Sequence, residues 1–315
     1  MKSLMLKSQQ LINIQLSAFY NYCEGIASKN YFTNVYSLAR TLLAIGTILT
    51  LMFNDTHVLF PEHLFHKMKF GHFLEDINLF YLLGYENIWV SKVISITILM
   101  IVASGYYPRI TGVLHWWVSF SFFTSGIILD GGDQITSVLT LLLVPITLLD
   151  NRKNHWQASK NENKHKNFIA FIVFLVIELQ VAILYLQASI EKPYKVQEWV
   201  DGTAVYYWIN HNVFGTFDLL LKWLNPLMDN SIFVSMLTWG TILFELSLFG
   251  AFFMLRNRRV KLLKFALAFH FMIIIFHGLP SFFFAMSGAL ILYLVPKNWE
   301  FSISRKKFLS LNKIR

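Results

Sequence analysis

Between Phe168 and Ile190 the chain runs for 23 residues that are almost wholly apolar. An α-helix needs about 20 such residues to cross the hydrocarbon core of a bilayer. Only a helix or a closed barrel can satisfy its own backbone there, so a run of this kind fixes a membrane-spanning helix. The composition extends that conclusion to the whole chain. Of 315 residues, 55% are hydrophobic and 14% are charged, and the mean hydropathy is +0.50. A soluble domain carries about a quarter charged residues. The expectation is an all-α, polytopic helical bundle.

Eight spans are predicted, near 36–53, 89–107, 110–129, 134–149, 168–190, 231–255, 262–279 and 281–296. The last two are short and joined by Gly278-Leu-Pro280, so a re-entrant hairpin is the alternative for them. Charge sets the orientation. Segments on one side carry 20 Lys/Arg against 4 Asp/Glu, and those on the other carry 5 against 12. The positive-inside rule then makes both termini cytoplasmic. Residues 1–30 are predicted to form an interfacial segment, with Leu11-Ile-Asn-Ile-Gln-Leu16 amphipathic in pattern. Residues 31–296 form the transmembrane domain, and 297–315 a basic cytoplasmic tail. No cleavable signal peptide is expected. The localisation that follows is a membrane, crossed several times.

The net charge of +9 is thus a topology signal and a grip on membrane lipid. Nucleic acid is excluded as a partner, because no soluble module presents a basic face. The single Cys23 forms no internal disulfide. No phosphate-binding loop, His-Glu-x-x-His zinc site, nucleophile elbow or Cys-x-x-Cys occurs, so no metal is expected and the residues name no cofactor.

Ionisable residues inside spans are expensive unless they face the bundle or water, and they are the candidates for function. Arg40, His115, Glu178, Glu245, His270 and His277 fall inside predicted spans. Lys192 closes the fifth span. An amine that loses hydration can lose its proton and act as a base. The plainer readings are a lysine that snorkels to the surface or pairs with Glu191. Depth along the spans groups Lys192, His277, Asp130 and Asp133 at outer ends, with His211 in the loop after Lys192. Glu178, Glu245 and His270 are expected near mid-membrane. His115 lies too far from Asp130 along one helix to share a small site. The turn Asp130-Gly-Gly-Asp133 is flexible enough for close approach of a ligand, or is an ordinary turn.

The segment Tyr185-Leu-Gln-Ala-Ser-Ile-Glu-Lys192, followed by Glu198-Trp199-Val-Asp-Gly202-Thr-Ala, resembles the lysine motif of the vitamin K-dependent gamma-carboxylase-like, or horizontally transferred transmembrane, superfamily. In its carboxylase branch the matching lysine is the base that activates reduced vitamin K. His115 resembles, more loosely, the histidine of that branch's quinone pocket. Glu245, the basic loop after it, His270 and Phe282–Met286 fit the back half. Within the superfamily, Tyr31-Phe-Thr-Asn-Val-Tyr-Ser-Leu-Ala-Arg40 and Asp130-Gly-Gly-Asp133-Gln are similar to the sporulation-delaying protein B family. That resemblance covers roughly residues 30–296. It implies production of a secreted antimicrobial peptide from a precursor, with a partner of the sporulation-delaying protein A type.

Three readings follow. In the first, the chain matures the peptide by a base-catalysed step in an outward-facing cavity. Lys192 is the base, with His277, His211 and His115 as further catalytic candidates. Asp130, Asp133, Glu191, Trp199, Glu245 and His270 are the substrate-binding candidates. In the second it is a non-catalytic scaffold or exporter of the same pathway. In the third it is an ion-coupled transporter using Glu178, Glu245 and His270.

Overall fold

Helix boundaries in this chain follow residues chosen for them. Asn163 and Asn230 accept hydrogen bonds from the first free backbone N–H groups of the helices they precede. Asp130 and Asp133 form a reciprocal capping box. Pro108 and Pro280 occupy first-turn positions where a missing N–H costs nothing. Gly105 and Gly278 end their helices in the left-handed conformation, at φ 88° and 64°.

The computed structural model describes residues 2–65, 72–159, 163–212, 214–304 and 307–312. Among them are nine helices of 15 residues or more: α1 (Lys2–Ala27), α2 (Asn34–Phe53), α3 (Ile88–Ser104), α4 (Pro108–Ser125), α5 (Gly131–Leu149), α6 (Lys164–Lys195), α7 (Ser231–Gly250), α8 (Arg256–His277) and α9 (Pro280–Leu294). Two short strands, Glu300–Ser304 and Lys307–Asn312, pair antiparallel after α9. The protein is all-α in its body.

Among the described residues, six helical segments are long and apolar enough to cross a membrane: Asn34–Phe53, Tyr85–Ser104, Gly131–Leu149, Lys164–Lys195, Ser231–Phe253 and Arg256–His277. All eight expected segments are helical, but α4 and α9 fall outside this set. Arg109, His115 and several hydroxyls lower the hydropathy of α4. At 15 residues, α9 spans about 22 Å.

Short as it is, α9 is the axis of the bundle. Every residue from Ala285 to Val295 is buried. It packs most closely on α2, where small residues let the backbones meet. A Cβ on Gly46 would lie 3.0 Å from the Ser281 carbonyl, and one on Gly288 would lie 2.9 Å from that of Ala39. α4 meets α5 in the same way, with Gly112 directly against Thr147. A second apolar cluster, with Phe60 and Phe80 stacked at 4.6 Å, lies under the short helices after α2.

Three boundaries differ from expectation. α6 runs to Lys195, past Ile190 and through Pro193. α8 begins at Arg256, six residues before the expected span, because Arg and Lys are good helix formers and their stems cover apolar surface. Lys297, expected in a solvated tail, is instead 4% exposed. In α1, Ile12, Phe19 and Tyr20 are more than half exposed, while Glu24 pairs with Lys164 of α6.

Candidate functional site

Lys192 does not snorkel, and it does not pair with Glu191. Its Nζ donates to both carboxylate oxygens of Glu245 on α7, at 2.6 and 2.5 Å. It also lies 3.4 Å from the Ala188 carbonyl, one turn back along α6. Side chains on a helix tilt toward its N-terminus, so Lys192 points back into the bundle. That tilt brings it to Glu245, although sequence depth sets the two apart. The pair is mostly shielded, with 25% of the Lys192 side chain and 10% of the Glu245 side chain exposed.

Glu191 faces the other way. Its side chain is 40% exposed and accepts hydrogen bonds from Lys195 and Gln187, both at 2.8 Å, its neighbours four residues along the helix. Pro193 has no N–H to offer the preceding turn, which loosens the helix ladder at Lys192.

The second half of the motif closes over the pair. Trp199 is buried with Ala204 and Ile242, and Lys192 Nζ sits 5.4 Å from its ring centroid. Gly202 makes this return possible. Its φ is +74°, and a Cβ there would come within 2.9 Å of Ser235 Oγ on α7.

Two turns before Lys192, on the same face of α6, Tyr185 is fully buried. Its hydroxyl is 2.9 Å from His270 Nε2 on α8. His270 packs against Phe269 and Phe282, and its Nδ1 is buried without a hydrogen-bond partner. Glu245 is within electrostatic reach of Tyr185, and Lys192 of His270. Two hydrogen-bonded pairs, Lys192–Glu245 under Trp199 and Tyr185–His270 two turns back, thus lie on one face of α6 against α7 and α8. Tyr185 is the member not singled out from sequence. Its signal was present, since it opens the lysine motif at helical spacing from Lys192.

The other candidates lie apart. His277 and His211 form their own cluster with Trp208 and Phe214. His277 Nδ1 donates to the Phe214 carbonyl at 2.7 Å, and His211 Nδ1 accepts from the Phe214 N–H at 3.1 Å. The Asp130 carboxylate caps α5, accepting from Gly132 N and Asp133 N at 2.7 and 3.1 Å, and Asp133 returns the bond to Asp130 N at 3.2 Å. His115 is buried in α4 near Arg40 and His155, and its Nε2 has no partner.

Arg40 is 1% exposed and donates to Thr111 Oγ1 at 2.7 Å, with His155 Nδ1 at 3.3 Å. His155 lies in the connection between α5 and α6, outside the spans. Burial first, then the Arg40 and Arg152 charges, hold it neutral, its pKa lowered to about 2.

No family model matches the chain, and no solved structure matches it. Two proteins of Bacillus subtilis (strain 168) do. The uncharacterized protein YitO is 40% identical over 276 residues, covering 85% of this chain and 87% of YitO. Sporulation-delaying protein SdpB is 38% identical over 289 residues, covering 88% of this chain and 86% of SdpB. The chain belongs to the SdpB family. Both matches cover more than four-fifths of this SdpB-family chain and of the relative it is compared with. Lys192–Glu245 ties two of the candidate membrane-crossing helices, Lys164–Lys195 and Ser231–Phe253, through a largely shielded ion pair.

Proposed function

We propose that this SdpB-family protein acts in the bacterial cytoplasmic membrane to produce a secreted antimicrobial peptide, with Lys192 and Glu245 as its working centre. The observation that carries this is the ion pair itself. Two ionised groups between membrane helices cost several kilocalories per mole unless their geometry repays it. The pair also sits inside the lysine motif, over Trp199, where the superfamily resemblance places a base.

In this reading the bundle has eight spans, counting α4 and α9, and both termini are cytoplasmic. Lys192 then faces the outer side, where a precursor peptide held by a partner of the sporulation-delaying protein A type would arrive. For Lys192 to act as a base, its proton must first leave. It passes along the short bond to Glu245, leaving a neutral amine beside a neutral carboxylic acid. The amine then takes a proton from the substrate and becomes ammonium again. Tyr185 and His270 are a second pair on the same face of α6 at which protons and substrate polar groups can be held.

The same bond favours a second reading, in which the pair is a tie between α6 and α7 and the protein is a scaffold or exporter. The transport reading gains no such support, because Glu178 is engaged by Arg259 and Lys297, and Glu245 by Lys192.

A producer strain lacking the gene and complemented with variants tests the proposal. Secreted killing activity should be lost with Lys192→Ala and with Glu245→Gln at normal membrane levels of the protein. Full activity in both would remove the pair from the function.

A further inference from the structure

At the basic end of the bundle, about 21 Å along α6 from Lys192, Glu178 is engaged by two cations. Arg259 Nη1 lies 2.7 Å from Glu178 Oε2, and Lys297 Nζ lies 3.1 Å from Oε1. These three residues, with Arg256, line a cavity of about 310 Å³ between α6, α8 and the end of α9. One carboxylate therefore faces three cations. Among the described residues no carboxylate pairs with Arg256.

Two further features point to a missing anion. Arg259 Nε is buried and has no hydrogen-bond partner. The first turn of α8 is also partly open: Arg258 N and Arg259 N donate to the Leu255 carbonyl at 2.9 and 3.2 Å, which leaves the N–H groups of Arg256 and Asn257 to a ligand. The N-cap position of α8 is Leu255, whose side chain accepts nothing, and no acidic residue follows in that turn. A helix N-terminus favours negative charge, yet here it carries Arg256, Arg258 and Arg259. Burial drives Lys297 below the usual lysine range. Glu178 works against that, and the Arg259 and Arg256 charges add to it. The site is a cradle with surplus positive charge, open N–H groups and an unsatisfied guanidinium nitrogen.

Its walls say which anion. Phe171, Phe174, Leu175, Met254 and Leu294 line the same cavity. Phe253 and Leu255, beside it, are 77% and 73% exposed. A phosphate cradle that continues into apolar surface suits a molecule that is anionic at one end and hydrocarbon at the other. We propose that this cavity binds the phosphate headgroup of an anionic phospholipid, with the acyl chains lying along Phe253 and Leu255. The headgroup phosphate would accept from Arg256, Arg259 and the first N–H groups of α8. This site is independent of the Lys192 reading.

The test uses the purified full chain in a zwitterionic detergent. Thermal stabilisation is titrated with short-chain phosphatidylglycerol, with phosphatidylcholine of the same chain length, and with inorganic phosphate. Saturable stabilisation by phosphatidylglycerol is expected, with phosphatidylcholine inactive and phosphate at least tenfold weaker. Arg256→Gln, at an exposed position, should weaken the phosphatidylglycerol response about fivefold. Lys222→Gln, an exposed lysine elsewhere, should leave it unchanged. Equal responses to the two lipids overturn the proposal, as does an Arg256→Gln protein that responds like wild type. Equal potency of inorganic phosphate would make the site one for a soluble anion and overturn the lipid assignment.

Discussion

Lys192 and Glu245 lie 53 residues apart in the chain and are joined by two hydrogen bonds across the α6–α7 interface. Removing one partner strands the other in a largely shielded place. Glu245→Leu should therefore destabilise the protein by about 3 kcal/mol, toward the lower end for a broken buried pair, since Lys192 keeps some contact with solvent. The double variant Lys192→Met/Glu245→Leu should recover most of that loss while remaining inactive. Thermal unfolding in detergent separates the two. A double variant no more stable than the single would mean that the stranded charge is not the cause.

Gly202 holds the segment after Lys192 in a left-handed turn at φ +74°, close against Ser235. Gly202→Ala should cost about 1–2 kcal/mol through its backbone conformation alone. It should also loosen Trp199 over the Lys192 amine, because the new Cβ meets Ser235. Tryptophan fluorescence and melting temperature would both shift. Unchanged values would show that the turn is not held as described.

Asp130 is occupied with the start of α5. Asp130→Ala should cost about 1 kcal/mol, the usual worth of an N-cap, and Asp130→Asn or Asp130→Ser should restore most of it. Rescue of stability by these replacements, read by thermal melting, marks a capping role. If Asp130→Asn is as unstable as Asp130→Ala, the charge itself is needed there.

His155 is buried uncharged, with its pKa lowered to about 2. In the unfolded chain it takes up a proton near pH 6.5, whereas in the folded protein it does not until far lower pH. The folded state therefore loses stability as pH falls below about 6.5, at up to ~1.4 kcal/mol per pH unit from this group. Melting temperatures measured from pH 7.5 to 5 should fall less steeply in His155→Gln than in wild type. Parallel curves would contradict a neutral buried imidazole.

The fold was legible where one segment decides it. Apolar runs marked the eight segments that form α2 to α9, and Gly278-Leu-Pro280 marked the joint between the last two. What escaped depends on segments that meet in space. Glu191 was the obvious partner for Lys192 because it is adjacent, but adjacent residues on a helix point about 100° apart. Helical spacing alone would have assigned Glu191 to Lys195. The Glu245 contact needed the packing of α6 on α7, which no local pattern encodes. The same holds for Arg40 with His155 and for Lys297 with Glu178. Of the site, Lys192, Trp199, Glu245 and His270 were readable one by one. Their grouping with Tyr185 against one face of α6, and the separation of His115, His211 and His277 from them, were not.

The central claim is that Lys192 does chemistry on the secreted peptide rather than tying two helices together. The measurement that tests it most directly is the intact mass of the peptide secreted by producer cells carrying wild type, Lys192→Ala or Lys192→Arg, with membrane levels of each protein checked. The account predicts a peptide of altered mass or processing in both variants, since arginine keeps the charge but cannot give up its proton. A peptide of wild-type mass from Lys192→Arg cells would contradict it and leave Lys192–Glu245 as a structural pair.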